Sequence, residues 1–108
     1  MNNEVIIHKV ITHANKVIEY CADLPDQRGF LDNPMLIEAC VFNLSQIGEL
    51  VSKLDRDYKD SHANIPWRTL YGLRNRIVHD YEGVNFNLVW ELIKQDLPEL
   101  AAKLINMD

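Results

Sequence analysis

The feature that most limits what this chain can become is the spacing of its apolar residues, which recur at alternating intervals of three and four. From about residue 3 to 24, Ile7, Val10, Ile11, Ala14, Val17, Ile18 and Cys21 keep that rhythm. It lays side chains along one face of a helix and has no counterpart in the period of two that a strand needs. Leu24 and Pro25 close the segment, and the stretch 26–32, with Arg28 and Gly29, reads as a polar connection. Asn33 and Pro34 then supply a cap and a first-turn residue. Ile37, Cys40, Val41, Leu44, Ile47, Val51 and Leu54 carry a second helix to about Asp57. A mobile loop over 58–64 leads to a third helix that starts around Asn64 and Pro66 and is closed by Gly83. A fourth begins at Asn85 or Asn87 with the stripe Val89, Ile93, Leu97, Leu100 and Leu104. Pro98 falls inside that stripe, where its missing N–H predicts a kink or the start of a separate short helix. The pattern predicts an all-α fold, an antiparallel bundle of four to five helices formed by 1–108 as a single domain. Only four glycines and four prolines argue against a loop-rich or all-β design.

The third helix differs from the others in charge. The chain carries a net charge of -5, yet no carboxylate lies between Asp60 and Asp80, while Arg68, Arg74, Arg76, His62 and His79 all fall in that window. On an ideal helix advancing about 100° per residue, Pro66, Leu70, Leu73 and Ile77 form one apolar stripe, and Arg68, Gly72, Asn75, Arg76 and His79 gather opposite it. Asn75 and His79, four residues apart, can touch, and Gly72 leaves room for a backbone or ligand to come close. Arg74 lies about 140° from His79 round the axis. The two converge only if the Arg74 side chain swings across, the helix distorts, or each histidine takes its partner from a second copy of the chain. A two-fold pairing of third helices would double the local positive charge, and a homodimer is expected for that reason.

Arg74, Asn75, His79, Asp80 and Tyr81 resemble the R-x4-H-x-Y signature of the HEPN superfamily, specifically its HepT-like (DUF86) branch. Gln46, Ile47, Gly48 and Glu49 resemble the branch's I-G-E element, and Ile65, Pro66 and Trp67 its I-P-W helix start. Val89, Trp90 and Glu91, with Asp96, Leu97, Pro98, Glu99 and Leu100, resemble its last-helix pattern. The likeness covers most of the chain from about residue 40. Where many members have an arginine shortly before the I-G-E element, this chain has Val41, Phe42 and Asn43. The resemblance implies a metal-independent endoribonuclease, the toxin of a HEPN/MNT toxin-antitoxin pair acting on RNA, with tRNA one candidate. Arg74 and His79 would be catalytic with Asn75 in support, and Arg68 and Arg76 would guide the phosphate backbone. Tyr81 would be adenylylated by an MNT-type nucleotidyltransferase, which puts charge and bulk beside the site.

Each residue also has a plainer reading. His79 suits a surface or packing role, and Arg74 suits a partly buried ion pair, for which Glu49 is a candidate. Asn75 suits a cap, and Tyr81 a tyrosine packed under the last helix with its hydroxyl exposed. Arg68 and Arg76 suit solvated surface positions, while Trp67 and Trp90 suit core or dimer contacts better than base stacking. Glu4, Glu19, Glu38 and the acidic run Asp55, Asp57 and Asp60 read as solvated faces. Cys21 and Cys40 lie on apolar stripes of separate helices and read as small, buried, reduced residues. Neither they nor His8, His13, His62 and His79 have metal-ligand spacing, so no metal or other cofactor is expected.

No apolar run approaches the ~20 residues that span a bilayer, and a start with Asn2, Asn3 and Glu4 does not read as a signal peptide. A soluble, cytoplasmic protein is expected. The overall acidity argues against indiscriminate RNA binding, since affinity for nucleic acid comes largely from neutralising phosphates. RNA held at one small basic cleft remains compatible with it. Two functional classes stand side by side: the endoribonuclease, and a non-catalytic helical module that serves a nucleotidyltransferase as substrate or adaptor.

Overall fold

The computed structural model describes residues 1–78 and 85–107, with side chains described for all of these except 74–78. Among the described residues every regular element is a helix: α1 (Asn3–Cys21), α2 (Gln27–Leu31), α3 (Pro34–Val51), α4 (Arg56–Ser61), α5 (Trp67–Val78), α6 (Phe86–Glu91) and α7 (Leu97–Ile105). No helix among them is long and apolar enough to cross a membrane.

The centre is α3, whose Cys40, Leu44 and Ile47 are sealed from solvent. It packs against α1 on one side and α5 on the other, and α7 returns to close against α1. Three cross-contacts set the direction of the first pair. Asn3 and Asp55 exchange two hydrogen bonds, side chain to side chain at 3.1 Å and Asp55 N–H to Asn3 Oδ1 at 3.2 Å. His13 meets Asn43 at 2.7 Å, and Cys21 meets Cys40 at 3.8 Å. As the first partner advances the second recedes, so α1 and α3 run antiparallel.

Side chains from outside complete the helix ends. Asn2 caps α1 by accepting from Val5 N–H, and Asn33 caps α3 by accepting from Leu36 N–H, with Pro34 next in line. The last turn of α1 has no basic residue of its own. Lys94 supplies the charge from a distant turn, donating to the Cys21 carbonyl at 3.1 Å while lying 5.3 Å from the centre of the Trp90 ring. The Cys21–Cys40 thiol pair sits just inside, both residues free and fully buried. Contact with the Cys21 thiol, and then burial, push the Cys40 thiol well above its ordinary range.

Three boundaries differ from the expectation. The connection over 26–32 folds into α2, capped by Asp26, whose side chain accepts from Arg28 N–H. It delivers Phe30 to the core at 0 % exposure, with its ring 5.7 Å from that of Trp90. A five-residue helix offers too few turns for a periodic signal, which is why it read as a loop. The second helix ends at Val51 rather than near Asp57. Leu54 is buried as expected, but through tightened bonds from Lys53 N–H to Leu50 O and Leu54 N–H to Val51 O. Within the expected loop over 58–64 lies most of α4.

Pro98 falls in the first turn of α7, and the chain stays helical through it from Phe86 to Ile105 rather than starting a detached helix. Pro98 cannot donate to the Lys94 carbonyl, and the turn before it widens into a π-type segment over Leu92–Asp96, with Leu97 N–H reaching back to Leu92 O. The stripe survives the change: Val89, Ile93, Leu97 and Leu104 are buried, joined by Ala101, while Leu100 is half-buried.

Phe30→Ala is expected to cost about 3–5 kcal/mol, the range for emptying an aromatic site in a packed core. Urea unfolding followed by circular dichroism measures it. A cost under 1 kcal/mol would show that α2 is not part of the core.

Candidate functional site

α5 carries the charged segment. Its ladder opens on the Pro66 carbonyl, which accepts from Leu70 N–H at 3.1 Å, so Pro66 stands one residue ahead of the helix and is exposed rather than part of the buried stripe. Leu70 and Leu73 are buried and hold α5 on the bundle. Arg68 is exposed on the free side. At Gly72, also on that side, an added Cβ would meet no atom within 4 Å, so the face is open as the sequence implied. Positions 74, 75 and 76 belong to the last turns of α5, while the side chains of Arg74, Asn75 and Arg76, together with His79, Tyr81 and Gly83, lie outside the described residues.

Of the neighbouring elements, Ile47 and Gly48 are buried in α3 and Glu49 is half-buried. Asn43, in the region where many HepT-like chains have an arginine, is 5 % exposed. Its amide donates to the Ala39 carbonyl at 2.8 Å, which leaves its oxygen to accept from His13 Nδ1 at 2.7 Å. That pair fills the region with a satisfied hydrogen-bonded network between α1 and α3.

The entry to α5 is locked to α4. The Trp67 indole N–H is shared between the carbonyls of Lys59 and His62, each at 3.1 Å, and so serves backbone acceptors at the end of α4. Tyr58 lies 4.5 Å from the His62 ring and 6.5 Å from the Trp67 ring, while His62 Nδ1 is 2.9 Å from the Tyr58 carbonyl. Trp67 and Trp90 are therefore packing residues, Trp67 at the α4–α5 corner and Trp90 against Phe30.

Depressions of different character flank α5. Toward α7, a hollow of about 240 Å³ is lined by Leu70, Leu73, Leu97 and Leu100 with Asp96 and Glu99 at its edge. Toward α4, an open cleft of about 420 Å³ is bordered by Arg56, Lys59 and Arg68, the aromatic residues Trp67 and Tyr71, and Asp60. Sequence reasoning had found Arg68 but not Arg56, Lys59 or Tyr71. The first two lay where a helix end and a loop were expected, and only the fold of α4 brings them beside α5.

The chain matches the family described as Ribonuclease HepT-like over residues 10–107. It belongs to that family. Among curated relatives, "Putative RNase MJ1380" of Methanocaldococcus jannaschii is 32 % identical over 101 residues, covering 94 % of this chain and 92 % of the relative. "Putative RNase TTE0752" of Caldanaerobacter subterraneus subsp. tengcongensis is 38 % identical over 75 residues, 69 % of this chain and 67 % of the relative. "Probable ribonuclease HepT" of Thermococcus cleftensis is 35 % identical over 65 residues, 60 % of this chain and 59 % of the relative. No solved structure gives a significant match. Membership bears out the HepT-like resemblance drawn from the sequence.

Trp67→Phe keeps an aromatic ring but removes the pyrrole half of the indole with its N–H donor, so it is expected to cost at least about 1 kcal/mol. Denaturant unfolding reads the loss, and an unchanged midpoint would show that the α4–α5 lock contributes nothing.

Proposed function

We propose that this protein is a metal-independent endoribonuclease, the toxin of a HEPN/MNT pair, working as a homodimer. What carries the reading is membership of the HepT-like ribonuclease family over residues 10–107, in a chain whose R-x4-H-x-Y residues Arg74, His79 and Tyr81 follow one another along and just beyond α5. The carboxylate-poor window between Asp60 and Asp80 adds to it, since a phosphodiester approaches such a surface without repulsion.

In the proposed chemistry the ribose 2′-oxygen attacks the adjacent phosphorus and the bond from phosphorus to the 5′-oxygen breaks. The products are a 2′,3′-cyclic phosphate and a 5′-hydroxyl. A neutral imidazole at His79 takes the 2′-OH proton, or in its charged form delivers one to the departing 5′-oxygen. Arg74 balances charge building on the phosphoryl oxygens with a planar fork that lysine lacks. Asn75 supports the imidazole, and Arg68 and Arg76 guide the backbone. The nucleophile comes from the substrate itself, so the sequence of steps calls for no metal-activated water. The antitoxin reading follows the same positions. A partner MNT-type nucleotidyltransferase directs the Tyr81 phenol oxygen at the α-phosphorus of ATP, pyrophosphate leaves, and the nucleotide now on Tyr81 obstructs Arg74 and His79.

His79→Ala is expected to lower RNA cleavage at least 100-fold, the lower bound for removing a general acid or base, and to abolish growth inhibition on expression. Cleavage by the unaltered protein should persist in EDTA. Tyr81→Phe should abolish adenylate incorporation from ATP and partner, seen by mass spectrometry. If the unaltered protein and His79→Ala behave alike in cleavage and growth, the chain is a non-catalytic adaptor.

A further inference from the structure

We infer that the cleft between α4 and α5 is a binding subsite for an unpaired stretch of RNA, with phosphates held by Arg56, Lys59 and Arg68 and a base stacked on Tyr71. The inference rests on the ribonuclease reading for its ligand, but its residues are separate from Arg74, His79 and Tyr81.

Charge is the first argument. In a chain of net charge -5, three cations border one cleft against the single carboxylate of Asp60, whereas the hollow on the other side of α5 carries Asp96 and Glu99 beside Lys103. The acidity that argues against indiscriminate RNA binding therefore leaves one described flank of α5 with a positive balance. Affinity for a polyanion comes from such local neutralisation.

Shape and aromatic content supply the second. At about 420 Å³ the cleft falls in the range of small-ligand sites, roughly 300–1,000 Å³. Tyr71 is 40 % exposed at its border, so part of this aromatic side chain is open to a ligand in the cleft. Trp67 forms a wall that cannot turn away, because its indole N–H is held by two carbonyls of the α4 end. Cations beside an accessible aromatic ring suit an unstacked base and its phosphates, not a paired duplex whose bases are already covered.

Position is the third. Arg68 and Tyr71 belong to the helix that runs on to Arg74 and Asn75, and Arg68 stands ten residues, roughly 15 Å of helix, before Val78. A strand laid in this cleft leads along α5 toward the proposed cleavage site. The structure thus assigns α4 the task of holding nucleotides to one side of the scissile bond.

Binding of a fluorescein-labelled single-stranded oligoribonucleotide to the full-length His79→Ala protein tests this without cleavage. Changing Arg56, Lys59 and Arg68 together to alanine should weaken binding at least tenfold and reduce the slope of log affinity against log salt by roughly 2, as three lost contacts to a single strand imply. Tyr71→Ala should weaken it roughly five- to hundred-fold, and Tyr71→Phe should restore it. In the cleaving protein the same changes should raise KM for the oligonucleotide more than they lower kcat, with a smaller loss on a dinucleotide. Circular dichroism on each variant confirms folding. Unchanged affinity and salt slope overturn the subsite, whatever the cleavage assay shows. So does a variant that keeps its RNA affinity but loses self-association or capture by a nucleotidyltransferase, because the cleft would then be a protein interface. RNA binding that depends on these residues in a protein that cleaves nothing supports the subsite and overturns the ribonuclease reading instead.

Discussion

The structure depends on α3 being buried along two sides at once. Its sealed residues Cys40, Leu44 and Ile47 give α1 and α5 a common surface, and the antiparallel pairing with α1 is registered at three levels by Asn3 with Asp55, His13 with Asn43 and Cys21 with Cys40. Apolar burial of this kind is non-directional. It accounts for the cohesion of the bundle but not for which residue faces which, and the polar and thiol pairs between the two helices supply that choice. Asn43 illustrates the division. It is one of two polar residues among the buried ones described, and with both ends of its amide bonded it places α1 on α3 without leaving an orphaned group.

The consequence for function is that α5 is held from behind and left open in front. Leu70 and Leu73 commit one face to the bundle, and Gly72 and Arg68 lie on the other, where among the described residues no atom comes within 4 Å of a Cβ added at Gly72. A helix anchored in this way presents Arg68 to solvent on a chain that is acidic overall. The corner with α4 extends the same surface, because the Trp67 indole, shared between two carbonyls, fixes where Arg56 and Lys59 stand relative to Arg68. Packing, charge distribution and the proposed RNA chemistry are in this sense one arrangement.

The last helix shows how a local covalent fact becomes a tertiary contact. Pro98 removes a donor, the turn before it widens, and Lys94 in that widened turn reaches the carbonyl end of α1. The same lysine lies over Trp90, which packs on Phe30 of α2. One π-type turn therefore ties α1, α2 and the last helices together at the end of the bundle where the Cys21–Cys40 pair is sealed.

Much of this was legible beforehand. The three-and-four rhythm determined the long helices and the stripe through Val89, Ile93, Leu97 and Leu104, and Pro98 marked the disturbance in the last of them, because those depend on residues within a turn or two of each other. The motifs around Gln46, Ile65 and Arg74 determined the family for the same reason, being contiguous. The short helices α2 and α4 were not legible, since five or six residues show no period, and both owe their place to contacts with distant rings, Phe30 to Trp90 and the α4 carbonyls to Trp67. The basic cleft was hidden with them: Arg56 and Lys59 precede Arg68 by a turn of chain whose path sequence spacing does not specify, and only packing in three dimensions makes them neighbours.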